Sequence, residues 1–469
     1  MVRSSGEGAS LESTYTYCGL HGALVPTLAR WAYSLWTVLS VPARFARLWW
    51  RGRRHAGYRR LWRERLALGG PRAEAGSIWV HAHTPVELRT AATLIEKLRD
   101  LDPRWRYLLT HGDAEARAAG AALVKSGDLQ AWLPFDTPGA ARRFFKRHRP
   151  KLGVLIGRPG GPNLAHAAKR AGVPIYLANA RLSSSELTAA QRHRLRRTLM
   201  TPALRSLEGV LAQSDADALR LAKAGAQQVR VYGNVDFDIP PPVKLIARGL
   251  EWRQALARPV VLAVGTHDGE ERALLDAWKA ASTPRPLLMI VPRHVRQLAQ
   301  IEIAVRQRGL KVVRRSSWDK WVPTQEAREA DVLLGDSVGE MAAYYGLADV
   351  ALIGGSFRPE HGVQGLIEAA VCGCPILMGP NKGVQENAAE LVITAGAAES
   401  IAGLAQAVAR AASLAGDPKR NTMVRNVFTF AASHHGAVNR VVGALLAQMS
   451  RRVQPKALEA PAVRLRLGR

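Results

Sequence analysis

The amino-acid sequence predicts an α/β protein with two Rossmann-like, doubly wound domains. From Ser77 onward, short apolar runs alternate with longer amphipathic runs, as expected of strands that are each followed by a helix in a parallel sheet. Three consecutive prolines, Pro240 to Pro242, interrupt this alternation, which restarts in the run PVVLAVGT. Because a proline triplet cannot lie inside a helix, we expect a linker between two domains at this point.

The individual elements follow from the same alternation. In the first half, the predicted strands are SIWVHAH, RYLLTH, LQAWLPF, LGVLIG, PIYLANA, GVLAQS and VRVYGN. In the second half, they are PVVLAVGT, LLMIVPRH, KVVRRS, DVLLGDS, DVALIGGS, CPILMGP and LVITAG. The predicted organisation is a flexible N-terminus over 1–21, an apolar and basic segment over 22–72, one α/β domain over 73–240, a second over 243–453, and a basic tail over 454–469.

The balance of charges is strongly basic. Lys and Arg number 66 against 38 Asp and Glu, a formal net charge of +28, and such an excess attracts nucleic acid, anionic lipid or phosphorylated substrates. Residues 44–72 contain ten Arg and a single Glu, together with three Trp and one Tyr. Arg with interfacial Trp favours a segment that lies on an anionic membrane surface, although RNA also attracts these residue types. We therefore predict a membrane partner and no nucleic acid.

The apolar stretch that precedes this basic segment, residues 22–43, contains Arg30 and two prolines. Its longest uncharged run, Trp31 to Ala43, is shorter than the roughly 20 residues that span a bilayer. Three interpretations stay open: it dips into the membrane, it spans the membrane with Arg30 reaching the interface, or it is a buried N-terminal helix. The chain has three cysteines without metal-ligand spacing, which favours a reducing compartment and no metal site: Cys18, Cys372 and Cys374.

The stretch VLIGRPGGPNL, residues 154–164, joins an apolar strand to a helix through a loop of glycine and proline. In an open α/β fold, ligands collect where strand ends and helix N-termini converge, because free backbone N–H groups there favour anions. The loop is therefore a phosphate cradle, an acceptor site or a simple turn. Arg158 and Asn163 are its candidate ligand-binding residues.

Catalytic and nucleotide-binding candidates lie at the ends of other predicted strands. Glu87 falls in the first helical turn after the first strand, where a carboxylate can act as a general base, although glutamate is also favoured there by the helix dipole. In the second half, the strand-to-helix turns supply cations and glycines that suit a nucleotide sugar. A complete GxGxxG followed by an acid, and GxxxxGK[ST], are absent from the sequence, so hydride transfer and a P-loop have little support. The donor-binding candidates are His267, Arg293, His294, Gly335, Asp336, Ser337, Gly339, Glu340, Gly355, Ser356 and Glu368.

Two Rossmann-like domains that face each other across a cleft are typical of GT-B glycosyltransferases. The ordered series WVHAH…VE, YLANARLS, LAQSDAD, GNVDFDI, GTHDGEE, IVPRH, GDSVGEM, ADVALIGGS and PILMGP resembles the 3-deoxy-D-manno-octulosonic acid (Kdo) transferases. The resemblance runs from roughly Leu35 to Ala444 and includes the basic segment. It implies a metal-independent, inverting transfer of Kdo from CMP-Kdo to a lipid A precursor. It also implies a location on the cytoplasmic face of the inner membrane of a Gram-negative bacterium, and no cofactor.

The resemblance also assigns roles to individual residues. Glu87 falls on the position of the family's catalytic base, and Arg293 with His294 matches its Pro-Arg-His donor motif. The run Gly335 to Glu340 matches the next donor loop, and Glu368 matches the glutamate expected near the nucleotide ribose. On the acceptor side, the predicted contacts are Arg158, Asn163 and Arg181.

Three loops depart from the family pattern. An acidic and aromatic run, Glu-Thr-Glu-Leu-Trp, is replaced by residues 157–161, GRPGG. A Gly-Gly-His-Asn-Pro pattern is replaced by residues 362–366, GVQGL, and a Phe-Asn-Phe by residues 383–385, GVQ. Two alternatives therefore stay open: a paralogue with another sugar or acceptor, and a weakly catalytic protein that binds lipopolysaccharide precursors. The number of sugars transferred and the oligomeric state are not predicted.

Overall fold

The computed structural model describes residues 14–15, 24–53, 55–281, 285–318 and 321–453. The predicted basic tail over 454–469 and Cys18 lie outside the described residues, as does the predicted flexible N-terminus except for Thr14–Tyr15. Among the described helices, none is long and apolar enough to cross a membrane.

The first sheet contains eight strands that precede the proline triplet. These strands are β1 Thr14–Tyr15, β2 Ile78–Ala82, β3 Tyr107–His111, β4 Leu129–Trp132, β5 Leu152–Ile156, β6 Ile175–Ala180, β7 Gly209–Ala212 and β8 Val229–Val231. Their spatial order is β1-β8-β7-β6-β5-β2-β3-β4. The pairs that β2 makes with β3 and β5 are parallel, whereas the two-residue β1 pairs antiparallel with β8.

The second sheet contains seven strands from the chain after the triplet. They are β9 Val260–Thr266, β10 Leu287–Pro292, β11 Val312–Arg314, β12 Val332–Leu334, β13 Val350–Ile353, β14 Ile376–Met378 and β15 Ala398–Ser400. The order is β11-β12-β10-β9-β13-β14-β15, and every pair in it is parallel. The predicted α/β fold with two parallel, helix-covered sheets is confirmed.

Helices connect the strands. The α-helices before the triplet are α1 Leu24–Leu39, α2 Val41–Arg51, α3 Pro85–Leu101, α4 Ala114–Gly120, α5 Pro138–His148, α6 Pro162–Arg170, α7 Ser184–Arg192, α8 Arg194–Arg205 and α9 Asp215–Lys223. Those after it are α10 Val243–Leu256, α11 Glu270–Ala280, α12 Leu298–Gln307, α13 Gln325–Glu329, α14 Met341–Leu347, α15 Leu366–Val371, α16 Glu386–Thr394, α17 Leu404–Ala415, α18 Arg420–Ser433 and α19 Ala437–Val453.

Both faces of the second sheet are buried, and the strand sequences show why. Along β9, Val260, Leu262 and Val264 pack into one apolar cluster, whereas Val261 and Ala263 pack into another. Side chains alternate between the two faces of a strand, so a strand with a helix layer on each side must be apolar at consecutive positions. This is the physical basis of the uninterrupted apolar runs in the sequence.

One predicted element is wrong. The run LVITAG, residues 391–396, was expected to be a strand, but α16 extends to Thr394 and the following strand is the short β15. Within α16, Ala388, Ala389 and Val392 are buried. This spacing places them on one face of a helix, and a short apolar run alone cannot distinguish that face from a strand.

The chain forms two compact units. Within the described residues, the larger unit comprises 179–205 and 212–435 with the described part of the first 29 residues, and the smaller unit comprises 30–178, 206–211 and the residues from 436 onward. In the larger unit, the buried Asp217 accepts hydrogen bonds from the Leu182 backbone N–H at 3.0 Å and from Asn387 Nδ2 at 2.6 Å. Asp217 therefore links Leu182 to α16 within the larger unit. The domain limits drawn from the sequence stay a prediction.

Candidate functional site

Glu87 is held at the start of α3 by local hydrogen bonds. Thr84 caps the helix, its hydroxyl accepting from the Glu87 N–H at 3.3 Å, and Pro85 occupies the first helical turn, where proline's fixed φ suits a helix. The Glu87 carboxylate accepts through Oε2 from the His83 N–H at 2.7 Å. One carboxylate oxygen is therefore fixed by the backbone at the carboxyl end of β2, and the half-buried side chain has a defined direction.

Gly157 stands beside this carboxylate. A Cβ at Gly157 would lie 3.8 Å from both Cγ and Oε1 of Glu87, which is ordinary van der Waals contact. Gly157 has a φ of +75°, a left-handed conformation that glycine adopts without strain, and its N–H donates to the Ala178 carbonyl at 2.9 Å. The first altered loop thus begins directly next to the predicted base.

The N-terminus of α6 is occupied by a carboxylate of the protein itself. Asp136 accepts from the backbone N–H groups of Asn163 at 3.2 Å and Leu164 at 2.7 Å, and from the Tyr33 hydroxyl at 2.9 Å. A Cβ on Gly161 would lie 2.1 Å from Asp136 Cγ, so the carboxylate reaches the helix only because residue 161 has no side chain. The loop is therefore not a phosphate cradle at this helix end. Burial raises the pKa of Asp136, and its hydrogen bonds oppose that rise.

The two predicted acceptor residues of this loop have different surroundings. Arg158 is exposed immediately after Gly157. Asn163 is buried, and its amide is used inside the protein, donating to the Asp136 carbonyl at 2.9 Å and accepting from the Ser34 hydroxyl at 2.8 Å. Both roles stay predictions, and Arg158 is the one whose side chain a ligand can reach.

The third predicted acceptor residue, Arg181, lies in the larger unit, directly after β6. The nearby Asn179 has a positive φ of 53°, and its side chain donates to Asp236 at 3.0 Å and accepts from the Val235 N–H at 3.0 Å. These bonds join the sequence motifs YLANA and GNVDFD, and they fix the backbone from which Arg181 extends.

Helix α1 packs with its polar side inward. Ser34 and Thr37 are buried, whereas large apolar side chains of the helix are mostly exposed, among them Trp31 (66%), Leu35 (62%), Trp36 (60%) and Leu39 (70%). We call these four the apolar strip. Tyr33 and Ser34 anchor the helix through Asp136 and Asn163. Water-soluble surfaces rarely expose such a strip without a partner.

The basic segment after α1 is divided in the structure. Trp49 and Trp50 on α2 are exposed, but Tyr58, Glu64 and Arg65 are buried. Glu64 pairs with Arg117 at 2.9 Å and accepts from the Trp132 N–H at 3.0 Å. In the second part of the segment, these three side chains are therefore packed inside the smaller unit and face away from any membrane surface.

In the larger unit, Glu270 joins two of the predicted donor turns. Its buried carboxylate accepts from the Gly355 N–H at 2.9 Å and from the His267 N–H at 3.1 Å. Burial raises the pKa of Glu270. The imidazoles of His267 and His361 are stacked with centroids 3.7 Å apart. Glu270 acts here as a positioning residue, a role that the sequence did not reveal.

Positive charge collects around His267. Burial, followed by the charges of His361, Arg293, His294 and Arg358, lowers the pKa of His267. The Arg293 N–H donates to the Thr266 carbonyl at 2.9 Å, and the Arg293 side chain is exposed. These strand ends are therefore suited to a phosphate group, and the structure brings His267, Arg293, His294 and Gly355 together as predicted donor residues.

The loop from Gly335 to Glu340 is held by buried polar contacts. Glu340 is buried and ion-paired with Arg315 at 3.3 Å, and Ser337 is hydrogen-bonded to Glu340. Asp336 accepts from the Ser316 hydroxyl at 2.6 Å. These side chains are engaged within the protein, whereas Gly339 is exposed with a φ of +88°. The backbone near Gly339 is the part of this loop that a ligand can approach.

The remaining two donor candidates differ in exposure. Ser356 is fully buried, and its hydroxyl accepts from the Gly379 N–H at 2.7 Å, which ties β13 to β14. Glu368 lies half-buried in the first turn of α15. Ser356 therefore supports the loop from inside, and the donor contact predicted for each stays a prediction. Among the described residues, no group of three or more His, Cys, Asp or Glu could hold a metal ion.

Known proteins similar to this chain point to one family. Residues 60–239 match the family model described as 3-deoxy-D-manno-octulosonic-acid transferase. A 3-deoxy-D-manno-octulosonic acid transferase of Bordetella pertussis is 38% identical over 413 residues, which cover 85% of this chain and 94% of the relative. The chain belongs to the Kdo transferase family. It is therefore a glycosyltransferase. The transferase of Haemophilus influenzae is 27% identical over 310 residues, covering 64% of this chain and 70% of the relative.

Solved structures agree with the fold. The Anabaena protein HepE in complex with UDP has a TM-score of 0.56 at 15% identity, covering 80% of this chain and 100% of that chain. The UDP-GlcNAc 2-epimerase of Neisseria meningitidis has a TM-score of 0.53 at 15% identity, covering 79% of this chain and 100% of that chain. At this identity the likeness concerns the fold alone, and the predicted GT-B class is confirmed.

Two of the loops that depart from the Kdo transferase pattern are in contact. Gly362 has a φ of +79° and Gly383 a φ of +57°. A Cβ on Gly362 would lie 2.7 Å from the Gly383 Cα, and a Cβ on Gly383 would lie 3.1 Å from the Gly362 Cα. The changes at 362–366 and 383–385 are therefore one coupled feature, located next to the stacked His361.

Proposed function

We propose that this Kdo transferase moves Kdo from CMP-Kdo to a lipid A precursor, at the cytoplasmic face of the inner membrane of a Gram-negative bacterium. The observation that carries the proposal is the 38% identity over 94% of the Bordetella relative. Glu87 supports it, because the structure gives this residue a fixed direction at a strand end.

In this proposal Glu87 is the general base. An inverting transfer needs one carboxylate that removes the proton from the acceptor hydroxyl while the hydroxyl oxygen attacks the anomeric carbon of Kdo. The backbone bond to Oε2 orients the carboxylate, and the absence of a side chain at Gly157 leaves room beside Oε1 for the acceptor. Arg158 follows directly and binds an acceptor phosphate.

The donor is held by the larger unit. The Arg293 guanidinium neutralises the phosphate of CMP-Kdo, whose charge grows as CMP departs, and the imidazoles of His267 and His294 donate hydrogen bonds to it. The backbone at Gly339 and the carboxylate of Glu368 contact the nucleotide. No metal ion or cofactor takes part in this proposal.

Membrane attachment is assigned to α1 and α2. The apolar strip of α1 and the exposed Trp49 and Trp50 of α2 suit the interface of a bilayer, and the neighbouring arginines suit anionic headgroups. Attachment there keeps the enzyme next to a lipid acceptor. In this mode of attachment, only side chains of α1 and α2 enter the bilayer.

The direct test is incubation of the purified protein with CMP-Kdo and a lipid A precursor, with mass spectrometry of the lipid. A mass increase of one or two Kdo units is the expected result, and it also answers how many sugars are added. Folded protein that yields no product would contradict the proposal.

The second candidate is a weakly catalytic protein that binds lipopolysaccharide precursors, favoured by the altered loops at 157–161 and at 362–385. Titration calorimetry with CMP distinguishes the two. Binding of CMP supports a working donor site, whereas lipid binding without CMP binding supports the second candidate.

A further inference from the structure

A basic groove lies on the smaller unit between α5, α6 and the inward side of α1. Its volume is about 740 Å³. None of the described carboxylates lines it, and its walls carry six cationic side chains, Arg30, Arg142, Lys146, Arg149, Lys151 and Arg170. Like charges gathered in this way repel one another, so the cluster lowers the stability of the protein unless an anion binds.

Most charges of the groove have no counter-charge in the described residues; the exception is Lys151, which is attracted by Asp102. Within the described part of the chain, five of these side chains make no ion pair or hydrogen bond, and the sixth, Lys151, lies over the Trp105 ring at 5.0 Å. Elsewhere arginines are paired, as Arg410 is with Glu399 at 2.7 Å. Burial and the charges of Arg30 and Arg170 lower the pKa of His166 on the groove wall. The groove is therefore a region of positive charge that an external anion can neutralise.

The backbone at Arg149 adds a second observation. Arg149 ends α5 with a φ of 43°, the left-handed conformation that glycine or asparagine adopts more easily at this position. An arginine in this backbone conformation is therefore less favourable for stability than a glycine or asparagine would be. Binding of a ligand by the Arg149 side chain would explain why arginine occupies this position.

The apolar strip of α1 indicates what kind of anion binds. Trp31 belongs both to the groove wall and to the apolar strip. A nucleic acid would satisfy the charges and leave the strip exposed, whereas an anionic lipid satisfies both features with one molecule. We infer that the groove binds the phosphate headgroup of an anionic phospholipid, with the acyl chains against the apolar strip of α1.

The end of the groove around Lys151 and Arg170 is distinct from the reaction site, whereas the wall at Asn163, a predicted acceptor residue, belongs to the other end. Glu87 and Gly157 lie at the carboxyl ends of β2 and β5, whereas Pro150 and Lys151 on the groove wall precede β5 at its amino end. The five residues of β5 separate these ends by roughly 16 Å. A headgroup phosphate bound beside Lys151 is therefore remote from Glu87. The inference uses the membrane attachment proposed above and does not depend on the transfer reaction.

The test compares binding to vesicles of phosphatidylcholine alone with binding to phosphatidylcholine mixed with phosphatidylglycerol. The triple variant Arg142→Gln, Lys146→Gln, Arg170→Gln removes three groove charges. Each charge near an anionic surface contributes about 5-fold in affinity, so we expect a loss on the order of 100-fold on the mixed vesicles. Binding to phosphatidylcholine alone should not change, because the apolar strip is intact.

A matched variant removes three exposed cations elsewhere: Arg104→Gln, Lys419→Gln and Arg425→Gln. A smaller loss here than in the groove variant supports the inference, and an equal loss overturns it. It is also overturned if the wild-type protein does not prefer the mixed vesicles, or if RNA at equal phosphate concentration displaces it from them.

Transfer activity, measured with acceptor in detergent, separates this inference from the proposed function. Loss of the lipid preference in a groove variant that still transfers sugar supports both. If the wild-type protein has no transferase activity and the groove variant loses the lipid preference, the result supports the lipid site and contradicts the proposed function.

Discussion

The contact between Gly161 and Asp136 allows a sharp prediction about the first altered loop. In Gly161→Ala, the new methyl group would stand 2.1 Å from Asp136 Cγ, so the carboxylate must leave the α6 N-terminus. Gly161 has a φ of −68°, which alanine adopts without strain. Any loss of stability in Gly161→Ala therefore comes from the displacement of Asp136.

The magnitude follows from the bonds that are lost. Loss of a capping carboxylate costs about 0.5–2 kcal/mol, and a buried polar group left without its partner, here the Tyr33 hydroxyl, costs about 1–3 kcal/mol. We expect Gly161→Ala and Asp136→Ala each to destabilise α6 by about 2–4 kcal/mol. The double variant should cost about the same as Asp136→Ala alone, because the methyl group then meets no carboxylate. The predicted coupling is therefore about 2–4 kcal/mol.

Hydrogen exchange of the peptide that covers α6 measures this free energy locally, which suits a chain of two compact units. The control is Gly172→Ala, where φ is +69° and no atom lies within 4 Å of the new methyl group. Its cost should add to that of Asp136→Ala. Additive costs for Gly161→Ala and Asp136→Ala would refute the assignment of the α6 N-terminus to Asp136.

Two further predictions concern pH and the donor loops. Burial lowers the folded-state pKa of His148 to about 4, so the unfolded chain takes up the proton first, and His148 alone lowers the free energy of unfolding by about 1.4 kcal/mol per pH unit between about pH 6.5 and pH 4. His148→Gln should lack this contribution, so its free energy of unfolding should fall less than that of the wild type between neutral pH and pH 5, as measured by urea unfolding. An equal fall in both proteins would contradict the prediction. Gly362→Ala should displace the 383–385 loop and weaken CMP binding roughly tenfold, as measured by calorimetry. The control Gly309→Ala also has a positive φ, +72°, but its new methyl group meets no atom within 4 Å, so CMP binding should not change. Equal effects of the two variants would refute the coupling of the two loops.

Local features of the site were predictable from the sequence. The alternation of apolar and amphipathic runs locates most strands, and the residues Thr84, Pro85 and Glu87 read directly as a capped helix start. The glycines at strand ends likewise mark the donor turns. These features depend on neighbours in the chain, so a single sequence contains them.

Long-range partners were not predictable. Nothing near residues 157–164 indicates that Asp136, on a different connection, fills the α6 N-terminus, or that Gly362 meets Gly383. The strand-loop-helix pattern of residues 154–164 predicts an open anion site, because a sequence does not show which carboxylate of the protein binds the same N–H groups.

The orientation of α1 had a usable signal. Trp31, Leu35 and Leu39 recur at helical spacing, with Ser34 and Thr37 between them on the other side. Periodicity predicts the two faces, but it cannot say that the polar face is the one turned inward. Tyr33 and Ser34 decide this through their bonds to Asp136 and Asn163, which only the fold brings near.

The most direct measurement of the central claim is the rate of Kdo transfer by Glu87→Gln with saturating CMP-Kdo and lipid A precursor. A lost general base should lower kcat by about 10²–10⁴-fold while CMP binding is unchanged. The matched variant Glu96→Gln, an exposed glutamate on the same helix, should keep wild-type activity. Transfer by Glu87→Gln at the wild-type rate would contradict the assignment of Glu87 as the base of this Kdo transferase.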